Sequence, residues 1–219
     1  LVNAQAGEDI FKYLDRVQFG FNEKAYRNII GAANPFKEGD AMLGVAATDD
    51  STRGIARQLL SNTILSKLDD HPITQDRLSQ LLQQTVARGE QTTTQSQTLG
   101  QLKRFLLERD EVAIKTVLPS LSSIVIGCVV KLMSNAELVT VASKIFHPLP
   151  NSNIGAKGYL GARVQPNSPT DNLEDIRWQV FDAWAYGVGD VLLGTNPVSS
   201  DPESVAAVER TLQEIIEVF

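Results

Sequence analysis

The sequence predicts an α/β protein in which a long helical amino-terminal region is followed by alternating strands and helices. Apolar residues recur at helical spacing through most of residues 1–150. Prolines and asparagines mark a boundary near residue 150, and short alternating runs separated by helical segments follow it. We therefore expect two domains, a helical region over residues 1–150 and a region of strand–helix units over residues 151–219.

The first half of the helical region contains three segments with helical spacing. Residues 8–34 predict one or two helices broken near Gly20, and residues 39–47 form a connector. Residues 52–68 place their apolar side chains on one helical face. A further helix opens at Thr74, and its spacing predicts a buried stripe that consists of Leu78, Leu81, Leu82 and Val86.

The second half of this region starts with a polar stretch, residues 89–98, which has no period and predicts a surface loop. Helical spacing resumes in two further segments, residues 99–109 and 111–118. Residues 123–133 are apolar nearly all round, which predicts a helix in the middle of a helical layer. Ser134, with Glu137 three residues later, predicts a capping box that opens a helix over residues 136–146.

The carboxyl-terminal region changes to alternating strands and helices. Residues 159–165 alternate between apolar and polar positions and predict a strand, and residues 191–195 predict a second one. Residues 171–186 predict the helix between them, and Asp201 caps a last helix with Pro202 at its first position. Strand, helix, strand and helix in this order is the parallel unit that is repeated in doubly wound sheets and in barrels.

Composition and charge exclude several classes of function. With 20 Lys and Arg against 26 Asp and Glu, the net charge of −6 leaves no basic surface for nucleic acid. Cys128 is the single cysteine and lies in an apolar run, which favours packing over nucleophilic chemistry and excludes a disulfide framework. His71 and His147 lack partners at metal-ligand spacing. No membrane span or signal peptide is evident, so we expect a cytoplasmic protein.

Polar residues with complementary chemistry end the two predicted strands. Arg163 and Gln165 lie two residues apart and therefore project from the same face, and Asn196 ends the second strand. Pro166 and Pro197 follow directly and favour extended backbone before them. Ligands bind at the carboxyl ends of parallel strands, and a guanidinium with two carboxamides suits a small molecule that carries a hydroxyl and an ammonium. The alternative is that Arg163 forms a structural ion pair and that the two amides cap turns.

Two runs of residues resemble a known family most specifically. They are residues 161–167 (GARVQPN) and residues 186–198, in which YGVGD is followed after three residues by GTNPV. They are similar to the first two barrel strands of the large subunit of ethanolamine ammonia-lyase. Residues 39–47 (GDAMLGVAA) and 131–138 (KLMSNAEL) are similar to that family as well, and the likeness runs in order from about Lys24 to the last residue.

This resemblance implies a fold, a cofactor and site residues. It implies that residues 151–219 are the first two units of a (β/α)8 TIM barrel, which this chain leaves incomplete. Arg163 and Gln165 would contact the hydroxyl side of the substrate, Asn196 would help to hold its amino group, and Pro197 would lie against the cobalamin. In that family, ethanolamine is converted to acetaldehyde and ammonia by a radical mechanism that depends on adenosylcobalamin.

The resemblance also implies partners. They are a small subunit that covers the cofactor and further copies of the large subunit in a hexameric core, with packaging in a bacterial microcompartment. The acidic residues that hold the amino group from the far side come from later strands in that family, so we expect this chain alone to bind ethanolamine weakly at best and to have no turnover. Two alternatives stay open, a non-catalytic helical assembly or scaffold module and a barrel enzyme that acts on another small polar substrate.

Overall fold

The structure, a computed structural model, describes residues 1–35, 46–86, 95–187 and 189–219. These residues divide into two compact units, Leu1–Ile145 and Phe146–Phe219. The first is helical, and the second contains a two-stranded parallel sheet with two helices. The chain is therefore mostly helical with α/β character. Among the described residues, no helix combines the length and the apolar character that a bilayer crossing requires.

The first unit is built from short helices, most of which pack around a shared apolar core. In chain order they are α1 (Ile10–Gln18), α2 (Glu23–Ala32), α3 (Asp50–Ser61), α4 (Leu65–Asp70), α5 (Arg77–Thr85), α6 (Leu99–Glu108), α7 (Glu111–Val117), α8 (Ser123–Lys131) and α9 (Asn135–Ala142), with a 3-10 turn at Leu118–Ser120. Side-chain caps define most of these starts. The predicted capping box at Ser134 is confirmed, since its hydroxyl accepts from the Glu137 amide and the Glu137 carboxylate accepts from the Ser134 amide.

The predicted single helix over residues 52–68 is wrong, because the chain forms α3 and α4 with a break between them. Thr63 lies in the break and is fully buried. Its hydroxyl donates to the Leu59 carbonyl over 2.9 Å and accepts from the Ile10 amide over 3.3 Å. The next residue, Ile64, pairs with Thr98 in an isolated antiparallel bridge. These contacts satisfy the backbone where the helix is interrupted.

The predicted buried stripe of the helix after Thr74 is also wrong. The leucines of α5 are exposed, with Leu78 at 63%, Leu81 at 58% and Leu82 at 43%, and Val86 is half-buried. Their spacing correctly indicates an amphipathic helix, but among the described residues the three leucines stay largely exposed. Helical periodicity reports that one face is apolar and does not identify what packs against it.

Helix α8 only partly fulfils the prediction of a helix inside a layer. It packs against α3, α4 and α6, and Val125, Cys128 and Val129 are buried. Ile126 and Val130 are nevertheless 45% and 43% exposed. The predicted connector at 39–47 and the predicted polar loop at 89–98 lie outside the described residues, except for 46–47 and 95–98.

The second unit pairs two short parallel strands and packs two helices against each other. Its elements are β1 (Ala162–Val164), α10 (Leu173–Ala185), β2 (Val191–Leu193) and α11 (Pro202–Val218). Both strands are shorter than predicted, but their order and parallel pairing are confirmed. The core of this unit is formed by the buried residues Ile176, Val180, Val208, Leu212 and Ile215.

Candidate functional site

The register of the two strands fixes which side chains share a face of the sheet. Arg163 pairs with Leu192, and Val164 pairs with Leu193. Leu193 packs on the core formed by α10 and α11, whereas Leu192 is 44% exposed. Because successive side chains of a strand point to opposite faces, Arg163 lies on the face that the two helices leave open. It is not buried beneath a helix.

The guanidinium of Arg163 lies directly over Gly194, the residue after β2. A methyl group built on Gly194 would stand 2.6 Å from Nη2, 2.8 Å from Nε and 2.9 Å from Cζ of Arg163. Only a residue without Cβ leaves this space, so Gly194 permits the close approach. The parallel pairing of β1 with β2 therefore brings the predicted arginine, on β1, to the end of β2, next to the loop that carries Asn196.

The other predicted site residues lie at the same end of the sheet. Gln165 and Asn196 are exposed and follow β1 and β2 respectively, and Pro197 is half-buried. Within the described part of the chain, the side chains of Arg163, Gln165 and Asn196 form no hydrogen bond or ion pair. The structural ion pair considered for Arg163 is therefore not formed among these residues.

Backbone contacts tie together the loops that follow β1 and β2. The Gly194 amide donates to the Val164 carbonyl over 3.1 Å, continuing the strand pairing by one residue. The Thr195 hydroxyl donates to the Pro166 carbonyl over 3.1 Å. The Asn196 amide donates to Oδ1 of Asn167 over 3.3 Å. Residues 194–196 are thus each hydrogen-bonded to the end of β1 or to the loop that follows it.

The sequence pattern did not reveal the roles of three residues that organise these loops, Asn167, Asp171 and Gln179. Gln179 on α10 accepts from the Asn167 amide over 3.0 Å and donates to its carbonyl over 2.8 Å. Asp171 accepts from the amides of Val198 and Ser199, both over 2.8 Å. These two amides hold the pKa of the Asp171 carboxyl below its usual range.

Asp171 itself has a left-handed backbone conformation, with φ of 52°. Asp and Asn tolerate this region better than most residues, and they accept hydrogen bonds from nearby amides. The sequence pattern places Asp171 at the start of the predicted helix over residues 171–186, whereas the helix begins at Leu173. The turn-forming residues at 167–172 are the signal that could have indicated a loop, but they do not show which amides that loop would bind.

The opposite end of the sheet is closed by Asp190. Its carboxylate accepts from the Ser152 hydroxyl and from the Asn153 amide, both over 2.6 Å. These bonds hold the pKa of Asp190 below its usual range. Asp190 thus binds the loop before β1 at the end of the sheet away from Arg163, which is a structural role.

The first unit offers no competing nucleophile or metal centre among the described residues. The Cys128 thiol is buried, and burial raises its pKa to about 11, which suits packing. His71 packs against aromatic rings, with its centroid 4.8 Å from those of Phe11 and Phe21. The described ranges contain no group of three or more His, Cys, Asp or Glu side chains that could hold a metal ion.

Comparison with known proteins identifies relatives over nearly the whole chain. The family model described as "Ethanolamine ammonia lyase large subunit (EutB)" matches residues 20–219. The ethanolamine ammonia-lyase large subunit of Escherichia coli (strain K12) is 30% identical over 205 residues, which cover 90% of this chain and 45% of that protein. The large subunit of Salmonella typhimurium (strain LT2) is 28% identical with the same coverage. The chain thus spans about half the length of the curated relatives it matches.

Proposed function

This chain belongs to the family of ethanolamine ammonia-lyase large subunits, and from that premise we propose that it forms the first part of an ethanolamine-binding barrel. In this proposal residues 1–150 are the helical region, and residues 151–219 are the first two units of a (β/α)8 barrel. The observation that carries the proposal is the placement of Arg163 on the helix-free face, against Gly194 and beside the loop of Asn196.

The proposed roles follow from the chemistry of the substrate. Ethanolamine carries a hydroxyl on one carbon and an ammonium on the next. The Arg163 guanidinium has only donors and would bind the hydroxyl oxygen, with the Gln165 carboxamide beside it. The carboxamide oxygen of Asn196 would accept from the ammonium. Held at both ends, the substrate would keep a fixed orientation while its nitrogen leaves one carbon, and a barrel interior would exclude water from the reaction.

The loop after β2 also fits contact with adenosylcobalamin. Pro197 is half-buried and Val198 is 66% exposed, so together they offer a small apolar surface on which a flat corrin ring would rest. When bound, this cofactor would supply the radical that removes a hydrogen atom from the substrate. The residues of this chain would hold and orient the substrate for that step.

Family membership extends the proposal to partners. We propose that the protein acts as a carbon–nitrogen lyase in a complex with a small subunit and with further copies of the large subunit. Packaging of that complex in a bacterial microcompartment is part of the same proposal. The supporting fact is the large-subunit description shared by the matching family and the curated relatives.

Steady-state kinetics of the intact protein that contains this chain, assembled with the small subunit and adenosylcobalamin, tests the proposed roles. Arg163→Ala should raise KM for ethanolamine by about 10- to 100-fold, because a charged hydrogen bond is lost. The matched control is Arg177→Ala, since Arg177 lies on α10 and pairs with Glu174 and Glu214. That variant should stay within about twofold of the wild-type KM.

Inhibition by ethylamine, which lacks the hydroxyl, separates the two ends of the proposed site. Arg163→Ala should leave the inhibition constant of ethylamine nearly unchanged, because the lost donor faces a group that ethylamine does not have. Asn196→Ala should weaken the binding of both ethanolamine and ethylamine, because the Asn196 side chain would bind the ammonium that both molecules carry. Unchanged ethanolamine kinetics in both variants would remove the proposed function.

A further inference from the structure

Two residues of the loop after β1 hold the backbone on both sides of the Asn196–Pro197 step. Asn167 accepts from the amide of Asn196, and Asp171 accepts from the amides of Val198 and Ser199. Neither side chain is on the same loop as the residues it binds. The position of the Asn196 carboxamide therefore depends on a loop 29 residues earlier in the chain.

Asn167 is itself fixed by α10. Its backbone amide and carbonyl are both bonded to the Gln179 side chain, over 3.0 and 2.8 Å. Because those bonds involve only the Asn167 backbone, its side chain serves the Asn196 amide alone among the described contacts. A change of the Asn167 side chain would thus remove one hydrogen bond and leave the anchor to the helix in place.

Asp171 supplies the stronger part of this arrangement. One carboxylate binds two successive amides at 2.8 Å, which makes both hydrogen bonds charge-assisted. Its φ of 52° directs the carboxylate from a backbone conformation that Asn also tolerates. Asp171→Asn therefore replaces one of the two acceptor oxygens by a donor without adding backbone strain.

We propose that Asn167 and Asp171 are positioning residues for the reaction, acting through Asn196 on the amino group of the substrate. This inference rests on the proposed function, in which Asn196 holds that group. Displacement of a substrate-binding group by about 1 Å can lower a rate by about 100-fold. A loop that keeps only part of its backbone bonds would sample such displacements.

The test is a set of kinetic measurements on the intact protein with its small subunit and adenosylcobalamin. Asp171→Asn should lower kcat/KM for ethanolamine by about tenfold, which equals about 1.4 kcal/mol, mainly through KM. It should weaken ethylamine inhibition by a similar factor. Asp182→Asn, a matched change at an exposed position of α10, should leave both constants unchanged.

Asn167→Ala provides a second variant if Asp171→Asn does not fold. It should lower kcat/KM several-fold, since a neutral hydrogen bond is lost. Asn167→Asp retains an acceptor oxygen and should restore much of the loss. Failure of both Asp171→Asn and Asn167→Ala to change the kinetics of a folded enzyme overturns the inference.

A double-mutant cycle with Asn196→Ala distinguishes positioning from a merely structural role. If Asn167 and Asp171 act through Asn196, their changes should have less than about a twofold effect on kcat/KM once Asn196 is alanine. If the Asn167 and Asp171 changes lower kcat/KM by the same factor with and without Asn196→Ala, the inference is overturned but the proposed function stays intact. If Asn196→Ala alone has no kinetic effect, the proposed function fails first and the inference falls with it.

Discussion

Substitution of Gly194 by alanine is expected to damage substrate binding while leaving the fold nearly intact. The three atoms nearest to the new methyl group would all belong to the Arg163 guanidinium, at 2.6 to 2.9 Å. Carbon atoms in contact prefer about 3.5–4.0 Å, so the guanidinium must move by about 1 Å. Gly194 does not have a left-handed φ, and alanine therefore adds no backbone strain there.

This displacement should change the stability of the fold little and the kinetics strongly. The clash involves the far end of an exposed side chain that can swing away, so we expect the melting temperature to change by less than about 3 °C. The same movement takes the guanidinium away from the proposed hydroxyl site. A shift of about 1 Å should lower kcat/KM for ethanolamine by about 10- to 100-fold.

The assay compares kcat/KM and melting temperature for Gly194→Ala and Gly189→Ala. Gly189 is the matched control, because a methyl group there meets no atom within 4 Å. It should retain both values. The double variant Arg163→Ala/Gly194→Ala should be no worse than Arg163→Ala alone. Wild-type kcat/KM in Gly194→Ala would refute the reasoning. So would a further loss of kcat/KM when Gly194→Ala is added to Arg163→Ala.

Three further predictions concern the first unit. Leu59→Ala, at a fully buried site, should lower the free energy of unfolding by about 2–5 kcal/mol, whereas Leu78→Ala on α5 should change it by less than about 0.5 kcal/mol in denaturant titrations. The Arg16 guanidinium holds the pKa of Glu8 below its usual range, so Glu8 stabilises the fold above its unfolded pKa of about 4.3 and loses this effect as the pH falls through the folded-state value. Glu8→Gln should therefore be less stable than wild type at pH 7, and thermal melts in acid should show the difference closing; a constant difference would contradict this. With a pKa of about 11, only about one Cys128 thiol in a thousand is ionised at pH 8, and a thiol reagent should label it at least tenfold more slowly in the native than in the denatured protein.

Local chemistry predicted the starts of helices better than their surroundings. Ser134 and Asp201 could be identified as caps because a cap depends on a few neighbouring residues. The exposure of Leu78 could not be predicted, since burial depends on elements distant in sequence. The break at Thr63 was missed for the same reason. Its stabilising contacts include the amide of Ile10, 53 residues away.

Strand alternation predicted part of the candidate site. It placed Arg163 and Gln165 on one face and Asn196 at the neighbouring strand end, and the parallel pairing that this requires is present. The contributions of Asn167 and Asp171 could not be predicted in this way. They bind backbone amides of another loop, and amides are present at nearly every residue, so no side-chain pattern reveals the partner.

The two ends of the small sheet use their polar groups differently. At the amino end, both oxygens of Asp190 are occupied by the Ser152 hydroxyl and a neighbouring amide. At the carboxyl end, the side chains of Arg163, Gln165 and Asn196 bind nothing among the described residues, although backbone bonds fix the loops that carry them. An ordered backbone lowers the entropy that must be lost on binding, and unoccupied donors and acceptors leave hydrogen-bonding capacity for a ligand. This combination is what a pre-organised polar site requires, and it explains why variants at the carboxyl end should affect kinetics more than stability.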